Sequence, residues 1–123
     1  MIAILSAKLH RATVTETNID YEGSITISQR LLSAAGILEY QKVLVVNINN
    51  GKRFETYAIA SKKENVICVN GAGARLVMTN DKVIIMAFEY LEKKEISSHI
   101  PVIIKLGENN MILETTDSIH DRK

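Results

Sequence analysis

Few side chains in this sequence could do chemistry by themselves. His10, His99 and His120 are scattered, with no pair at metal-ligand spacing and no companion carboxylate motif, so no metal site is expected. Ser24 follows Gly23, but the strand-to-helix Gly-x-Ser-x-Gly elbow of a serine hydrolase is absent. Gly71-Ala72-Gly73 is a small-residue stretch whose backbone amides could approach a ligand closely, yet it lacks a full dinucleotide fingerprint. Cys68, the single cysteine, cannot form an internal disulfide and reads as a small buried apolar residue. Arg53 carries the planar fork that matches a carboxylate in two bonds, and Lys8 is a compact second cation. Singly each reads as a solvated surface charge, and together they suit a dicarboxylate. Read alone, Thr56 is an ordinary strand threonine and Tyr57 a packing aromatic on a hairpin.

The elements that must position these groups are mostly strands. Isoleucine, valine and threonine make up more than a quarter of the 123 residues, and stiff β-branched side chains suit a pleated sheet. Ile2 to Thr15 alternates loosely, with Ile2, Ile4, Ala12 and Val14 on one parity and Lys8, His10 and Arg11 grouped in the middle. Asn18 to Glu22 reads as a turn into a short strand, Ile25 to Ser28. Ser28 is the expected N-cap of a short helix carrying Leu31, Leu32 and Ala35 and stopped by Gly36. Val43 to Val46 and Phe54 to Ile59 flank Asn49-Asn50-Gly51, which predicts a tight hairpin with positive φ at Asn-Gly. Val66 to Val69, Val83 to Phe88, Pro101 to Leu106 and Met111 to Leu113 add further strands. Asn70 to Ala74 reads as a loop and Glu92 to Ser98 as a helical turn. Thr115 to Lys123 is polar and aperiodic and is expected to fray. Many short strands in a small chain predict a closed or nearly closed barrel, because closure removes exposed edges.

Composition narrows the classes further. At 123 residues, 46% hydrophobic and 24% charged, the chain fits a single globular domain. Fifteen Lys and Arg against fourteen Asp and Glu leave a formal charge of +1, so no nucleic-acid partner is expected from the general field. The start lacks the pattern of a signal peptide, and no apolar segment approaches the roughly 20 residues that span a bilayer. A cytoplasmic protein with no membrane association is therefore expected.

Four segments read together carry a specific resemblance. They are Lys8-Leu9-His10-Arg11-Ala12-Thr13-Val14-Thr15, Tyr21-Glu22-Gly23-Ser24-Ile25, Asn50-Gly51-Lys52-Arg53-Phe54-Glu55-Thr56-Tyr57 and Cys68-Val69-Asn70-Gly71-Ala72. In this order and spacing, over roughly residues 1 to 113, the chain resembles the pyruvoyl-dependent aspartate 1-decarboxylases of bacteria. Two positions depart: Val46 stands where some members carry tryptophan, and Gly73 where many have alanine. Both are neighbours of the reacting groups, so they bear on affinity and loop rigidity more than on reaction type.

The resemblance implies a mainly β, single-domain double-psi β-barrel with short helices over residues 1–113 and a polar tail, 114–123. It implies a homotetramer with active sites at subunit interfaces, acting on L-aspartate to make β-alanine for pantothenate and coenzyme A synthesis, and it leaves room for a maturation factor. It also implies a covalent pyruvoyl cofactor made from Ser24, by cleavage of the Gly23–Ser24 bond into a β chain (1–23) and an α chain (24–123). Glycine before the serine suits this, since it can occupy strained backbone states. By the same resemblance, Thr56 positions the Gly23 carbonyl and later contacts substrate, and Tyr57 returns a proton to the substrate carbon. Lys8 and Arg53 bind the substrate carboxylates, with backbone amides of Gly71, Ala72 and Gly73. His10, Tyr21 and Asn70 line the pocket.

Two other readings compete. One is a non-catalytic barrel serving as a binding or assembly module, which would need none of Lys8, Ser24, Arg53, Thr56 and Tyr57. The other is a pyruvoyl enzyme acting on glutamate, which the same cations would attract.

Overall fold

The computed structural model describes residues 1–117 and is mainly β. The strands are β1 (Ile2–Thr13), β2 (Glu16–Asn18), β3 (Ile25–Ser28), β4 (Lys42–Asn47), β5 (Arg53–Ser61), β6 (Ile67–Asn70), β7 (Lys82–Leu91), β8 (Val102–Leu106) and β9 (Ile112–Thr116). Helix α1 (Gln29–Ala35) follows β3, and the single turn α2 (Lys93–Ile96) follows β7. The strand order is β2-β6-β3-β5-β4-β7-β1-β8-β9. The two ends, β2 and β9, are not paired with each other, so the ladder is not closed and the fold is barrel-like. Three ladders are parallel, β1 with β8, β2 with β6 and β3 with β5, and the chain must cross over the core to make each.

One core fills the interior. Leu9, Ile25, Ile27, Leu31, Leu32, Ile67, Ile85 and Ile104 are fully buried, and each such burial is worth about 1.5–3 kcal/mol. Helix α1 buries Leu31, Leu32 and Ala35 and touches β1, β3, β5 and β8, bridging both halves of the sheet. Gly36 ends it at φ 75°, with its amide on the Leu32 and Ser33 carbonyls, as a glycine stop requires. Ser28 occupies the N-cap position but makes no side-chain cap; it is 1% exposed and its own amide donates to the Val66 carbonyl.

Three local expectations change. The inward residues of β1 and its continuation are Ala7 and Leu9, then Ala12 and Val14, while Ile2 is exposed. The parity switches because the β1–β7 register slips between Leu9 and Ala12, where Arg11 takes φ 64° as an extra residue in a bulge. Between β4 and β5 the chain makes a longer loop than a two-residue turn. Gly51 is at φ 74° and its amide reaches the Asn47 carbonyl, while the side-chain oxygens of Asn47 and Asn50 accept from the amides of Asn49 and Lys52. The segment after β6 is a 3₁₀ helix, Gly71–Arg75, and not an open loop. At the far end, β9 pairs with β8 through Thr116; residues 118–123, which complete the stretch expected to fray, and His120 lie outside the described residues. None of the helices among the described residues is long and apolar enough to cross a membrane.

Candidate active site

Register places Ser24 between two strands. Ile25, the first residue of β3, pairs with Ala58 of parallel β5 and with Val69 of antiparallel β6. One residue back along each ladder brings Ser24 level with Tyr57 and Asn70. Here a cleft of about 370 Å³ opens, lined by Gly23, Ser24, Phe54, Glu55, Thr56, Tyr57, Asn70, Ala72, Gly73 and Leu76.

Ser24 is the strained residue of this cleft. It is 2% exposed and sits at φ 87°, a left-handed conformation that costs a residue with a Cβ of order 1–3 kcal/mol. Gly23 before it is at φ 106°, with open space where a side chain would go. The strain is held by hydrogen bonds. The Asn70 amide donates to the Ser24 carbonyl at 2.9 Å, and the Asn70 side-chain nitrogen donates to Ser24 Oγ at 3.0 Å and to Thr26 Oγ1 at 3.0 Å. The Cys68 thiol in turn donates to Asn70 Oδ1 at 3.3 Å. Burial pushes the Cys68 thiol up from its ordinary pKa, so it stays protonated and able to donate.

Gly71 sits behind the cleft. It is buried and does not line the cleft. Its conformation is φ 70°, and a Cβ there would lie 2.6 Å from Gly23 N, 2.7 Å from Gly23 Cα and 3.0 Å from the Tyr21 carbonyl oxygen. Gly71 is thus the backing against which the 21–23 segment is packed. Ala72 and Gly73, at the start of the 3₁₀ helix, do face the cleft, and a Cβ on Gly73 would meet the Phe54 ring at 2.7 Å.

The structure therefore brings together Gly23, Ser24, Thr56, Tyr57, Asn70, Ala72 and Gly73, and leaves the other expected site residues outside. Arg53 opens β5 on an exposed position, and Tyr21 is 57% exposed, with its carbonyl oxygen beside Gly71. Lys8 and His10 lie on β1, which two strands, β4 and β7, separate from β5. Burial, then the nearby cations of Lys8, Arg11 and Lys105, hold the His10 imidazole below its ordinary pKa, and its buried Nδ1 has no hydrogen-bond partner among the described residues. His99 is taken up in packing, its Nε2 2.7 Å from the Leu5 carbonyl oxygen and its Nδ1 3.4 Å from Glu89.

Thr26, Phe54 and Leu76 belong to the cleft or its support and were not singled out by sequence reasoning. For Thr26 a signal existed: it is the polar residue alternating with Ile25 and Ile27, and it pairs with Cys68 across the β3–β6 ladder. Phe54 and Leu76 look like any other apolar residues in the sequence.

Comparison with known proteins gives similarity over nearly the whole chain. Residues 1–113 match the family model described as aspartate decarboxylase. The chain is 53% identical over 116 residues to an aspartate 1-decarboxylase of Campylobacter jejuni subsp. doylei, covering 94% of this chain and 92% of that protein. It is 53% identical over 118 residues to that of Caldicellulosiruptor saccharolyticus, with 95% and 92% covered. For the Ruminiclostridium cellulolyticum protein of the same name the identity is 54% over 117 residues, with 94% and 91% covered. Similarity of this extent, running from β1 through the Gly23–Ser24 segment to β9, makes the chain a member of the aspartate decarboxylase family.

Proposed function

We propose that this protein is a self-processing aspartate 1-decarboxylase that converts L-aspartate to β-alanine and carbon dioxide, supplying pantothenate and coenzyme A synthesis in the cytoplasm. The observation that carries the reading is Ser24, a buried serine in a left-handed conformation at the head of a cleft, its hydroxyl oxygen held by Asn70.

The residues present fit a pyruvoyl group formed from Ser24. Glycine precedes the serine, the serine backbone is strained, and both its Oγ and its carbonyl oxygen accept hydrogen bonds from Asn70. Ser24 Oγ attacks the Gly23 carbonyl carbon, and the peptide bond becomes an ester with a free amine on residue 24. Loss of the Ser24 Cα proton then breaks the Cβ–Oγ bond, and Gly23 leaves as a carboxylate. Water replaces the nitrogen of the resulting dehydroalanine, ammonia departs, and a ketone-bearing terminus remains on the 24–123 fragment. Thr56 is the hydroxyl donor in the cleft to the Gly23 carbonyl as negative charge develops on it.

When present, the pyruvoyl group supplies an electron sink conjugated to the substrate nitrogen, which no side chain offers. The chain's own residues do the rest. Ala72 and Gly73 line the cleft, and their backbone amides are the groups that take a substrate carboxylate. Tyr57, 40% exposed and lining the cleft, carries the hydroxyl that returns a proton to the substrate carbon after carbon dioxide leaves.

Lys8 and Arg53 are the cations a dicarboxylate needs, and neither lines the cleft of its own chain. A second copy that brings these cations to the cleft completes the site, which supports active sites at subunit interfaces within the homotetramer proposed here. The test is to incubate the purified protein with L-aspartate and, separately, L-glutamate, and to quantify the amine formed. β-Alanine from aspartate, and none from the Ser24→Ala protein, is the expected result. Product from glutamate alone would assign the other substrate, and product from neither would reject the proposal.

A further inference from the structure

We propose that Cys68 is a positioning residue for self-cleavage, its thiol hydrogen fixing the Asn70 carboxamide so that both amide hydrogens serve the oxygens of Ser24 and Thr26. The inference rests on the reading of Gly23–Ser24 as a self-cleaving bond. A primary amide buried between three polar groups can sit in two orientations related by a half-turn. In one, the NH₂ group faces Ser24 Oγ and Thr26 Oγ1, and the oxygen faces Cys68; in the other these are exchanged. The second would point amide hydrogens at a protonated thiol, which is a weak acceptor, and would leave the thiol hydrogen without an acceptor. The first is the one observed, with Sγ to Oδ1 at 3.3 Å and Nδ2 to each hydroxyl oxygen at 3.0 Å.

Cys68, Asn70 and Ser24 are 8%, 5% and 2% exposed, so these bonds are largely sheltered from water. Cys68 and Asn70 are two apart on β6 and share a face, while Thr26 pairs with Cys68 across the ladder. The three groups are thus set by strand register. The orientation bears on cleavage because Ser24 Oγ accepts from Asn70. Its own hydrogen is then free to leave in another direction as the oxygen attacks. In the later elimination the electron pair of the Cβ–Oγ bond stays on that oxygen as Gly23 departs, and a donor aimed at it stabilises the charge. A thiol that fixes the donor therefore acts on the rate without touching the reacting atoms.

The test compares self-cleavage rates of Cys68→Ser, Cys68→Val and Cys68→Ala precursors by intact mass against time, with the wild-type precursor alongside. Serine keeps a donor in a smaller side chain, and valine keeps the volume without a donor. The expected result is that serine cleaves near the wild-type rate while valine and alanine are slower by about two- to tenfold, the worth of one neutral hydrogen bond. A packing role predicts the reverse order, with valine best. Valine cleaving at the wild-type rate, or serine as slow as alanine, would overturn the inference. Should valine not fold, the serine and alanine pair decides on its own, equal rates being the contrary outcome. A wild-type precursor that never cleaves would instead remove the underlying reading.

Discussion

Gly71→Ala is the most informative substitution away from the reacting atoms. Gly71 holds φ 70°, and an added Cβ would stand 2.6 Å and 2.7 Å from two backbone atoms of Gly23. Neither neighbour is a side-chain tip that can swing away, so the 21–23 segment itself must move. A non-glycine residue in the left-handed region costs about 1–2 kcal/mol, and overpacking adds about 1–3 kcal/mol. Together about 2–5 kcal/mol is lost, against a typical total of about 5–15 kcal/mol, so the protein should still fold. Its melting temperature should fall by on the order of 10 °C or more. Cleavage should suffer more than stability, because displacing a reacting group by about 1 Å can cost about a hundredfold. A time course of intact mass, with thermal unfolding of the same sample, reads both quantities. Gly73→Ala is the internal contrast. Its Cβ would meet only the edge of the Phe54 ring, and its φ is not left-handed, so it should cleave at nearly the wild-type rate. Wild-type cleavage by Gly71→Ala with unchanged stability would refute the reasoning.

Other expectations follow from the same geometry. Lys8→Gln and Arg53→Gln should each leave Gly23–Ser24 cleavage intact and lower kcat/KM for aspartate by about 10- to 100-fold, since a hydrogen bond to a charged group is worth about 1.5–3 kcal/mol; steady-state kinetics of the processed proteins checks this. Tyr57→Phe should be processed normally and make β-alanine about 10²–10⁴-fold more slowly, whereas a packing residue would tolerate the change. The neutral form of His10 contributes to stability because burial and the neighbouring cations hold its pKa below the ordinary 6.5. The unfolded chain takes up this proton first as pH falls, so the contribution is full above 6.5 and is lost progressively below it, levelling off beneath the folded pKa. Denaturant titrations at several pH values should show a shallower acid loss in His10→Gln, and identical slopes would exclude His10 as the cause.

The strands were legible because their signal is local. Alternation of Ile25 and Ile27, or of Val43 and Val45, is written in neighbouring residues and survives into the buried face of β3 and β4. The β1 parity was not, because one residue, Arg11, in a left-handed conformation reverses the inward face of the residues on either side of it. Ser28 stands at the cap position without a side-chain cap, and its backbone amide is bonded to Val66, a partner 38 positions away that no local pattern names. Ser24, Thr56, Tyr57 and Asn70 stand out in the sequence one by one, but what brings them to one cleft is register between β3, β5 and β6. Sequence likewise could not separate Gly71, which backs onto Gly23, from Gly73, which faces the cleft. Cys68 read as a small apolar residue, and it is buried as such. Its hydrogen bond to Asn70 became visible only once both side chains were placed on one face of β6.

The central claim, that Ser24 becomes the reactive group of a self-cleaved enzyme, is tested most directly by intact mass spectrometry of the purified protein beside Ser24→Ala. The account predicts two fragments for the wild type, residues 1–23 and 24–123, the second with a ketone in place of its N-terminal amine. It predicts one uncleaved chain for Ser24→Ala. An uncut wild-type chain that nevertheless forms β-alanine from aspartate, or a Ser24→Ala protein cut at the same bond, would contradict it.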